Sequence, residues 1–172
     1  MPHSSGARHS IYMKVFLAGD HAGFRLKSAL LAQLPLLGHE VQDVGPFGLN
    51  PEDDYPDFVT PLAQAVAGDQ DAFGILCAGS GQGEAMCANR IPGVRAAVYY
   101  GKMAVATALD SEGAHSEDGY DAVRLPRKHN NANVLSIGAR FVSPREAEEA
   151  VRLFLSTPFS ADERHVRRLS KF

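Results

Sequence analysis

The sequence predicts an α/β fold of the doubly wound, Rossmann-like type, with a five-stranded parallel sheet in a three-layer αβα sandwich. Short apolar runs, typical of buried strands, alternate with segments whose apolar residues recur at helical spacing. Polar and glycine-rich stretches follow several of these runs, where sheets of this kind bind ligands. With 172 residues, we expect a single domain at 13–172 behind a disordered leader at 1–12.

Five strands and the helices between them follow from these patterns. The predicted strands lie at 13–18, 38–44, 73–77, 94–99 and 134–138. Helices are expected at 24–34, which Pro35 ends, at 57–67, and after the third strand. The segment 109–127 contains many glycine, serine and aspartate residues, which predicts a helix, a loop and a second helix.

Two serines predict where the last helices begin. Ser143 and Ser160 each precede a glutamate three residues later, Glu146 and Glu163, which is the pattern of a capping box. Pro144 suits the first helical position after Ser143. We therefore expect one helix from each of these points.

Composition excludes several classes of protein. The net charge of −3 provides no basic field for nucleic acid, and no apolar run is long enough to cross a bilayer. The two cysteines, Cys77 and Cys87, form neither a disulfide framework nor a zinc pattern, and the first ten residues lack a secretory signal. We expect a cytoplasmic protein with no nucleic-acid or membrane partner.

The loop Gly79-Ser-Gly-Gln-Gly83 lies between the third strand and a run of helix-forming residues. Glycines allow close approach of a ligand, and N–H groups at a helix start attract anions. A dinucleotide fingerprint would need glycine where Glu84 stands, and a P-loop would need Gly-Lys-Ser/Thr. The loop is therefore an anion cradle of another kind or a tight turn without a ligand.

Glu84 at the rim of this loop has two interpretations. It is either a general base or a carboxylate that the helix dipole stabilises. The dipole would lower its pKa, whereas a closed, dry cleft would raise it. The sequence leaves this choice open.

Three further groups also have a structural and a functional interpretation. Asp20 and His21 end the first strand, where a buried structural histidine is common, and the polar residues 127–133 suit a turn. For both, the structural interpretation is slightly favoured when each is taken alone. Four cations at helical spacing in the last helix form either a solvated face or an anion site; they are Arg164, Arg167, Arg168 and Lys171.

Taken together and in this order, the motifs resemble the ribose-5-phosphate isomerase B family, whose relatives act on galactose 6-phosphate and allose 6-phosphate. The resemblance extends from Met13 to the C-terminus. The matching segments are 19–24, 54–56, 79–84, 88–90, 129–133, 138–140 and 164–168.

The resemblance implies aldose–ketose isomerisation through a cis-enediolate, without metal or organic cofactor. It also implies a homodimer, or a tetramer, whose active sites use residues from both subunits. Glu84 would move the proton between C2 and C1. The amides of Gly79, Gly81 and Gly83, with Ser80, would stabilise the oxyanion, as preorganised donors do.

The remaining roles are implied in the same way. His129, with Asp20, would assist ring opening, and Asn130 would hold a hydroxyl or enediolate oxygen. Tyr55 would line the sugar pocket. Arginine binds phosphate bidentately, and the implied phosphate ligands are His21, Arg140, Arg164 and Arg168.

The chain departs from the family pattern at two places. Some members use a cysteine base directly before the glycine-rich loop, where this chain has Ala78. Cys77 is one residue away and would point to the opposite face of its strand, so we assign the base to Glu84 and predict that Cys77 is dispensable. The segment 109–127 is longer than is usual, and it could cap the pocket, extend a dimer interface or alter the substrate.

The expected substrate pair is ribose 5-phosphate and ribulose 5-phosphate. The same chemistry on a four- or six-carbon sugar phosphate is one alternative. A non-catalytic module that binds a phosphosugar or a nucleotide is the other. A binding module has no need of a carboxylate at the position of Glu84.

Overall fold

The computed structural model describes residues 12–109, 113 and 116–172. Except for Tyr12, the predicted leader lies outside the described residues. The strands are β1 (Lys14–Gly19), β2 (Glu40–Gly45), β3 (Ala72–Ala78), β4 (Ala96–Tyr99) and β5 (Val134–Gly138). The helices are α1 (Phe24–Gln33), α2 (Pro56–Ala67), α3 (Gln82–Ala88), α4 (Asp121–Asn130), α5 (Pro144–Ser156) and α6 (Glu163–Leu169).

The five strands form one parallel sheet in the order β2-β1-β3-β5-β4. This confirms the predicted fold class. The chain runs from β1 outward to β2 and then returns to place β3 on the other side of β1. Ligands bind at such a switch point, beyond the carboxyl ends of the strands. The loops that follow β1 and β3 therefore lie where a ligand is expected to bind.

Both faces of the sheet are covered, because side chains alternate along each strand. In β1, Val15 and Leu17 are buried in a cluster with residues of α1, α4 and α5. Phe16 and Ala18 are buried on the other face with residues of α2 and α3. Each large side chain buried in this way stabilises the fold by about 1.5–3 kcal/mol. These two clusters make the three-layer sandwich.

Most predicted boundaries differ by one or two residues from those observed, and two of the differences have a clear local cause. The helix expected at 24–34 ends as α1 at Gln33, and a 3₁₀ turn, Leu34–Leu37, follows it. Pro35 lies in the first turn of that 3₁₀ segment, where a missing N–H is tolerated. The strand expected at 94–99 begins only at Ala96, since the N–H of Val94 closes a turn on the carbonyl of Ile91.

Of the two predicted capping boxes, the first is confirmed only for its serine, and the second is wrong. Ser143 Oγ accepts a hydrogen bond from the Glu146 N–H at 3.2 Å, so this cap of α5 is as predicted. However, Glu146 Oε1 accepts from Tyr99 OH and from the Lys102 N–H, both at 2.9 Å. The last helix is capped at Asp162, not at Ser160.

The segment 109–127 is described only in part. Its predicted second helix is α4, which begins at Asp121. Before it, Ser116 Oγ donates to Asp121 Oδ1 at 2.6 Å, and Arg124 Nη1 donates to Asp118 Oδ1 at 2.8 Å. The predicted first helix falls largely on residues outside the described ranges. Among the described residues, no helix has the length and apolar character needed to cross a bilayer.

Candidate active site

The carboxyl edge of the sheet gathers most of the predicted site residues. The loop 20–23 follows β1, the loop 79–81 follows β3, and Arg140 follows β5. Tyr55 and Asp53 come from the loop between β2 and α2. This convergence of loops results from parallel strands that all end at one edge.

The backbone of two of these loops is tightly constrained. A Cβ built on Gly23 would lie 1.9 Å from the carbonyl oxygen of Cys77, so only glycine fits there. Gly81, the residue before α3, has φ 75°, a conformation that glycine adopts readily. Ser136 Oγ of β5 donates to the Gly81 carbonyl at 2.7 Å. The glycine-rich loop is therefore held from below by a buried hydroxyl.

Several N–H groups of this loop have no acceptor among the described residues. The Gln82 N–H donates to Ser80 Oγ at 3.3 Å, and the Ala85 N–H donates to the Gly81 carbonyl. Within the part of the chain that the structure describes, no acceptor is bound by the N–H groups of Gly79, Ser80 or Gly81. A row of free, oriented donors is suited to an oxygen that carries or develops negative charge.

Glu84, in the first turn of α3, is 5% exposed. Burial raises the pKa of its carboxyl, and the nearby Asp20 carboxylate raises it further, although a backbone N–H opposes the shift. The choice that the sequence left open is thus decided in favour of a raised pKa. A carboxyl whose pKa is raised toward neutrality can both accept and return a proton.

Asp20 is buried beside Glu84, and its own position is fixed by the backbone. Its Oδ1 accepts from the Gly23 N–H at 2.7 Å. A neighbouring carboxylate disfavours ionisation of a carboxyl group, which is why Asp20 raises the pKa of Glu84.

Tyr55 and Arg140 flank the glycine-rich loop. A Cβ on Gly83 would lie 2.8 Å from Tyr55 OH, and a Cβ on Gly79 would lie 3.1 Å from Cζ of Arg140. Both side chains therefore pack closely against the glycines of the loop. The guanidinium adds a positive charge next to the free N–H groups.

His21 is bound to Asp53. Asp53 Oδ1 accepts from the His21 N–H at 3.2 Å and lies 2.6 Å from Nδ1 of the ring. This hydrogen bond raises the pKa of His21, and the nearby charge of Arg140 opposes that shift. The structural interpretation of His21 as a buried histidine is wrong, since the ring is 38% exposed.

The other predicted residues lie at the opposite edge of the sheet. His129 and Asn130 end α4, immediately before β5 begins at Val134. The five residues of β5 span about 16 Å, so within one chain His129 is far from Asp20. The predicted pairing of these two residues is not made inside a single chain.

At this amino edge, His129 lies among basic residues of α4 and α6. Its ring lies 4.4 Å from the ring of His165, which is buried and contacts Ser160 Oγ through Nδ1 at 2.9 Å. Burial lowers the pKa of His129, and the charges of His165 and Arg164 lower it further. Arg164 and Arg168 are exposed on α6, one turn apart.

Cys77 lies in the core below α1 and α5 and has no exposed surface. Burial raises its thiol pKa far above the ordinary value. Because the thiolate is the reactive form, Cys77 is unsuited to act as a base, in line with the choice of Glu84.

Two residues that support the loops of the carboxyl edge, Asp53 and Ser136, were not among the predicted site residues. Ser136 had a visible signal, because it is a hydroxyl within an otherwise apolar strand. The only sequence signal for Asp53 was its position directly before the Asp-Tyr-Pro motif at 54–56. Asp53 pairs with His21, which is 32 residues away in sequence, and Ser136 pairs with Gly81, which is 55 residues away.

Comparison with known proteins gives one consistent result. The family model described as Ribose/Galactose Isomerase matches residues 15–116 and 112–172. The ribose-5-phosphate isomerase B of Mycolicibacterium paratuberculosis is 39% identical over 157 residues, which cover 91% of this chain and 87% of that protein. The same enzyme of Mycobacterium tuberculosis is 37% identical, covering 91% and 86%.

A solved structure supports the same relationship. The crystal structure of ribose-5-phosphate isomerase B from Mycoplasma genitalium, with bound ribulose-5-phosphate, superposes with a TM-score of 0.79. The two chains are 34% identical, and the match covers 95% of each.

Proposed function

The chain belongs to the ribose/galactose isomerase family, and on that premise we propose that it interconverts ribose 5-phosphate and ribulose 5-phosphate with Glu84 as the base. It is an isomerase of the ribose-5-phosphate isomerase B type. The observation that carries the assignment of the base is the buried Glu84 carboxyl, whose pKa is raised beside free backbone donors.

The proposed reaction begins on the open-chain aldose. Glu84 removes the proton from C2, the C1 carbonyl oxygen gains negative charge, and a cis-enediolate forms. The N–H groups of Gly79, Ser80 and Gly81 stabilise that oxygen, since preorganised donors in a dry site need not reorganise. Glu84 then returns the proton to C1, and the proton on O2 passes to O1, which gives the ketose.

The phosphate binds at some distance from the reacting carbons. Arg140 and His21 are the cations near the glycine-rich loop, and Arg164 and Arg168 are those of the amino edge. Because the fork of arginine matches phosphate oxygens, these four residues are the proposed clamp. His129, whose lowered pKa leaves it neutral near pH 7, transfers a proton during ring opening, and Asn130 binds a hydroxyl.

The two groups of residues meet in a homodimer. A two-fold axis perpendicular to the strands places the carboxyl edge of one sheet beside the amino edge of the other. A groove of about 630 Å³ runs along the edge strand β4 and is lined by α4 residues that include Leu125 and Asn130, and by Asn89, which follows α3. A second copy seated along this groove would complete both sites.

A panel of four-, five- and six-carbon aldose phosphates in deuterated water tests the proposed function. We expect deuterium to enter the product and kcat/KM to be highest for ribose 5-phosphate. A higher value for another sugar would keep the chemistry and change the substrate. Binding without any exchange would identify a non-catalytic module instead.

A further inference from the structure

Asp53 is a buried carboxylate whose contacts are almost entirely with one residue. Its side chain is 4% exposed, and Oδ1 binds both the N–H and the ring Nδ1 of His21, the latter at 2.6 Å. Its Oδ2 is buried and has no hydrogen-bond partner among the described residues. Burying an unpaired carboxylate oxygen costs free energy, so this arrangement is not explained by stability.

The contact leaves one ring nitrogen of His21 available. Nδ1 is occupied by Asp53, and among the described residues none forms a hydrogen bond with Nε2. The ring is 38% exposed, whereas Asp53 below it is enclosed. A histidine that is held through one nitrogen by a carboxylate presents the other in a defined direction.

The charged groups around the His21 ring together favour its protonated, cationic form. Asp53 and Asp20 both favour protonation of His21, and Arg140 opposes it. The net effect is a pKa above the ordinary value. An imidazolium has two donors, one for Asp53 and one for a second anion.

We propose that Asp53 is a positioning residue for the phosphate subsite, which holds His21 as an imidazolium so that Nε2–H donates to the substrate phosphate. This inference rests on the proposed function, because it assumes that the ligand of His21 is the phosphate of the sugar. Asp53 itself does not touch the substrate. It acts by fixing the charge and the direction of the ring.

The proposal predicts a specific pH dependence. His21 binds phosphate only while it is protonated, so KM rises as the pH increases through the pKa of the histidine. In Asp53→Asn that pKa is lower, and the rise begins at lower pH. The ratio of KM between variant and parent should be smallest at the acidic end of the range and grow severalfold by pH 8, because the variant's histidine loses its proton first.

The first experiment measures kcat and KM for ribose 5-phosphate between pH 5.5 and 8.5 in the parent protein, Asp53→Asn and Glu52→Gln. Glu52 is an exposed carboxylate on the same loop and serves as the matched control. We expect Asp53→Asn to raise KM as described and to change kcat by less than about twofold, the pattern of lost uniform binding. Glu52→Gln should match the parent. An Asp53→Asn variant with the KM profile of the parent would overturn the proposal.

A double-mutant cycle separates positioning from a general loss of structure. Asp53→Asn in a His21→Gln background should cause no further rise in KM, because the group through which Asp53 acts is already absent. A rise of the same factor in both backgrounds would overturn the proposal. NMR titration of His21 Hε1 in the folded variants should show a lower pKa in Asp53→Asn.

Inorganic phosphate as a probe distinguishes this inference from the proposed function. If the parent isomerises no sugar but binds phosphate more tightly than Asp53→Asn does, the subsite stands and the reaction is wrong. If the parent isomerises ribose 5-phosphate and His21→Gln changes neither KM nor phosphate binding, the reaction stands and the inference is wrong.

Discussion

The carboxyl edge of the sheet holds buried, mutually constrained groups, whereas the amino edge holds exposed cations on two helices. Glu84 and Asp20 are buried, and Ser136 holds the backbone of the glycine-rich loop through Gly81. Arg164 and Arg168 instead extend from α6 into solvent. Proton transfer needs a perturbed pKa and fixed geometry, and a phosphate clamp needs accessible charge. The contrast fits the proposal that isomerisation takes place at the first edge, while the second edge adds Arg164 and Arg168 to the phosphate ligands.

The largest expected effect tests the first half of this contrast. Glu84→Gln retains the shape of the side chain but removes the base, so kcat should fall by about 10²–10⁴-fold, with KM little changed. Steady-state kinetics and proton exchange at C2 in deuterated water measure it. Glu117→Gln, an exposed change outside the site, is the control. If Glu84→Gln exchanges as fast as the parent protein, Glu84 is not the base.

Mixing two inactive variants tests whether the edges come from different subunits. Glu84→Gln and the double variant Arg164→Ala/Arg168→Ala, unfolded and refolded together, should regain about a quarter of the parent activity. The reason is that half of the dimers are hybrids, and one of the two sites in each is intact. Activity is assayed at substrate concentrations below KM. Refolding Glu84→Gln with Glu84→Ala, which both lack the proposed base at the carboxyl edge, should restore nothing. Equal recovery in the two mixtures would exclude the shared site.

The amino edge by itself should affect binding. Arg168→Ala removes a charge-assisted hydrogen bond, worth about 1.5–3 kcal/mol, so KM should rise by roughly tenfold to a hundredfold while kcat changes much less. Arg167→Ala is the matched control, because it removes a neighbouring exposed arginine of α6 that is not among the proposed phosphate ligands. Should Arg167→Ala raise KM as much as Arg168→Ala, the effect would be a general field of the basic helix.

A smaller effect concerns the pH dependence at the carboxyl edge. Glu84 acts as a base only when ionised, so kcat falls as the pH drops through its raised pKa. Asp20→Asn removes one cause of that rise, and the acid limb of the kcat profile should move to lower pH. The measurement is the pH at which kcat falls to half of its plateau, which does not depend on the value of kcat at the plateau. An unmoved or upward-shifted limb would show that Asp20 does not control Glu84.

The smallest effect is expected at Cys77. Cys77→Ala should leave kcat unchanged, because the thiol is buried in the core and far from its reactive form. The lost packing should cost about 1 kcal/mol and lower the melting temperature by about 2–4 °C. Cys87→Ala provides the comparison for activity. Loss of the chemical step in Cys77→Ala but not in Cys87→Ala would mean that Cys77, and not Glu84, is the base.

Several elements could be predicted because their signals are local. The strands are short apolar runs, Ser143 caps α5 with its own side chain, and the glycine pattern marks the loop after β3. The second capping box was wrong, since Ser160 is engaged by His165, the residue whose ring packs against His129. That competing contact depends on how α6 lies against α4.

By itself, the sequence determined the α/β class, the order of strands and helices, and the glycine-rich loop with Glu84 at its rim, because periodicity and glycine spacing act over a few residues. Only the tertiary structure decided that burial raises the pKa of Glu84, that Ser136 supports Gly81, and that Asp53 holds His21. It also separated His129 from Asp20 by the length of a strand. Burial, pKa and pairings across 32 or 55 residues arise from packing between distant segments, which no local pattern encodes.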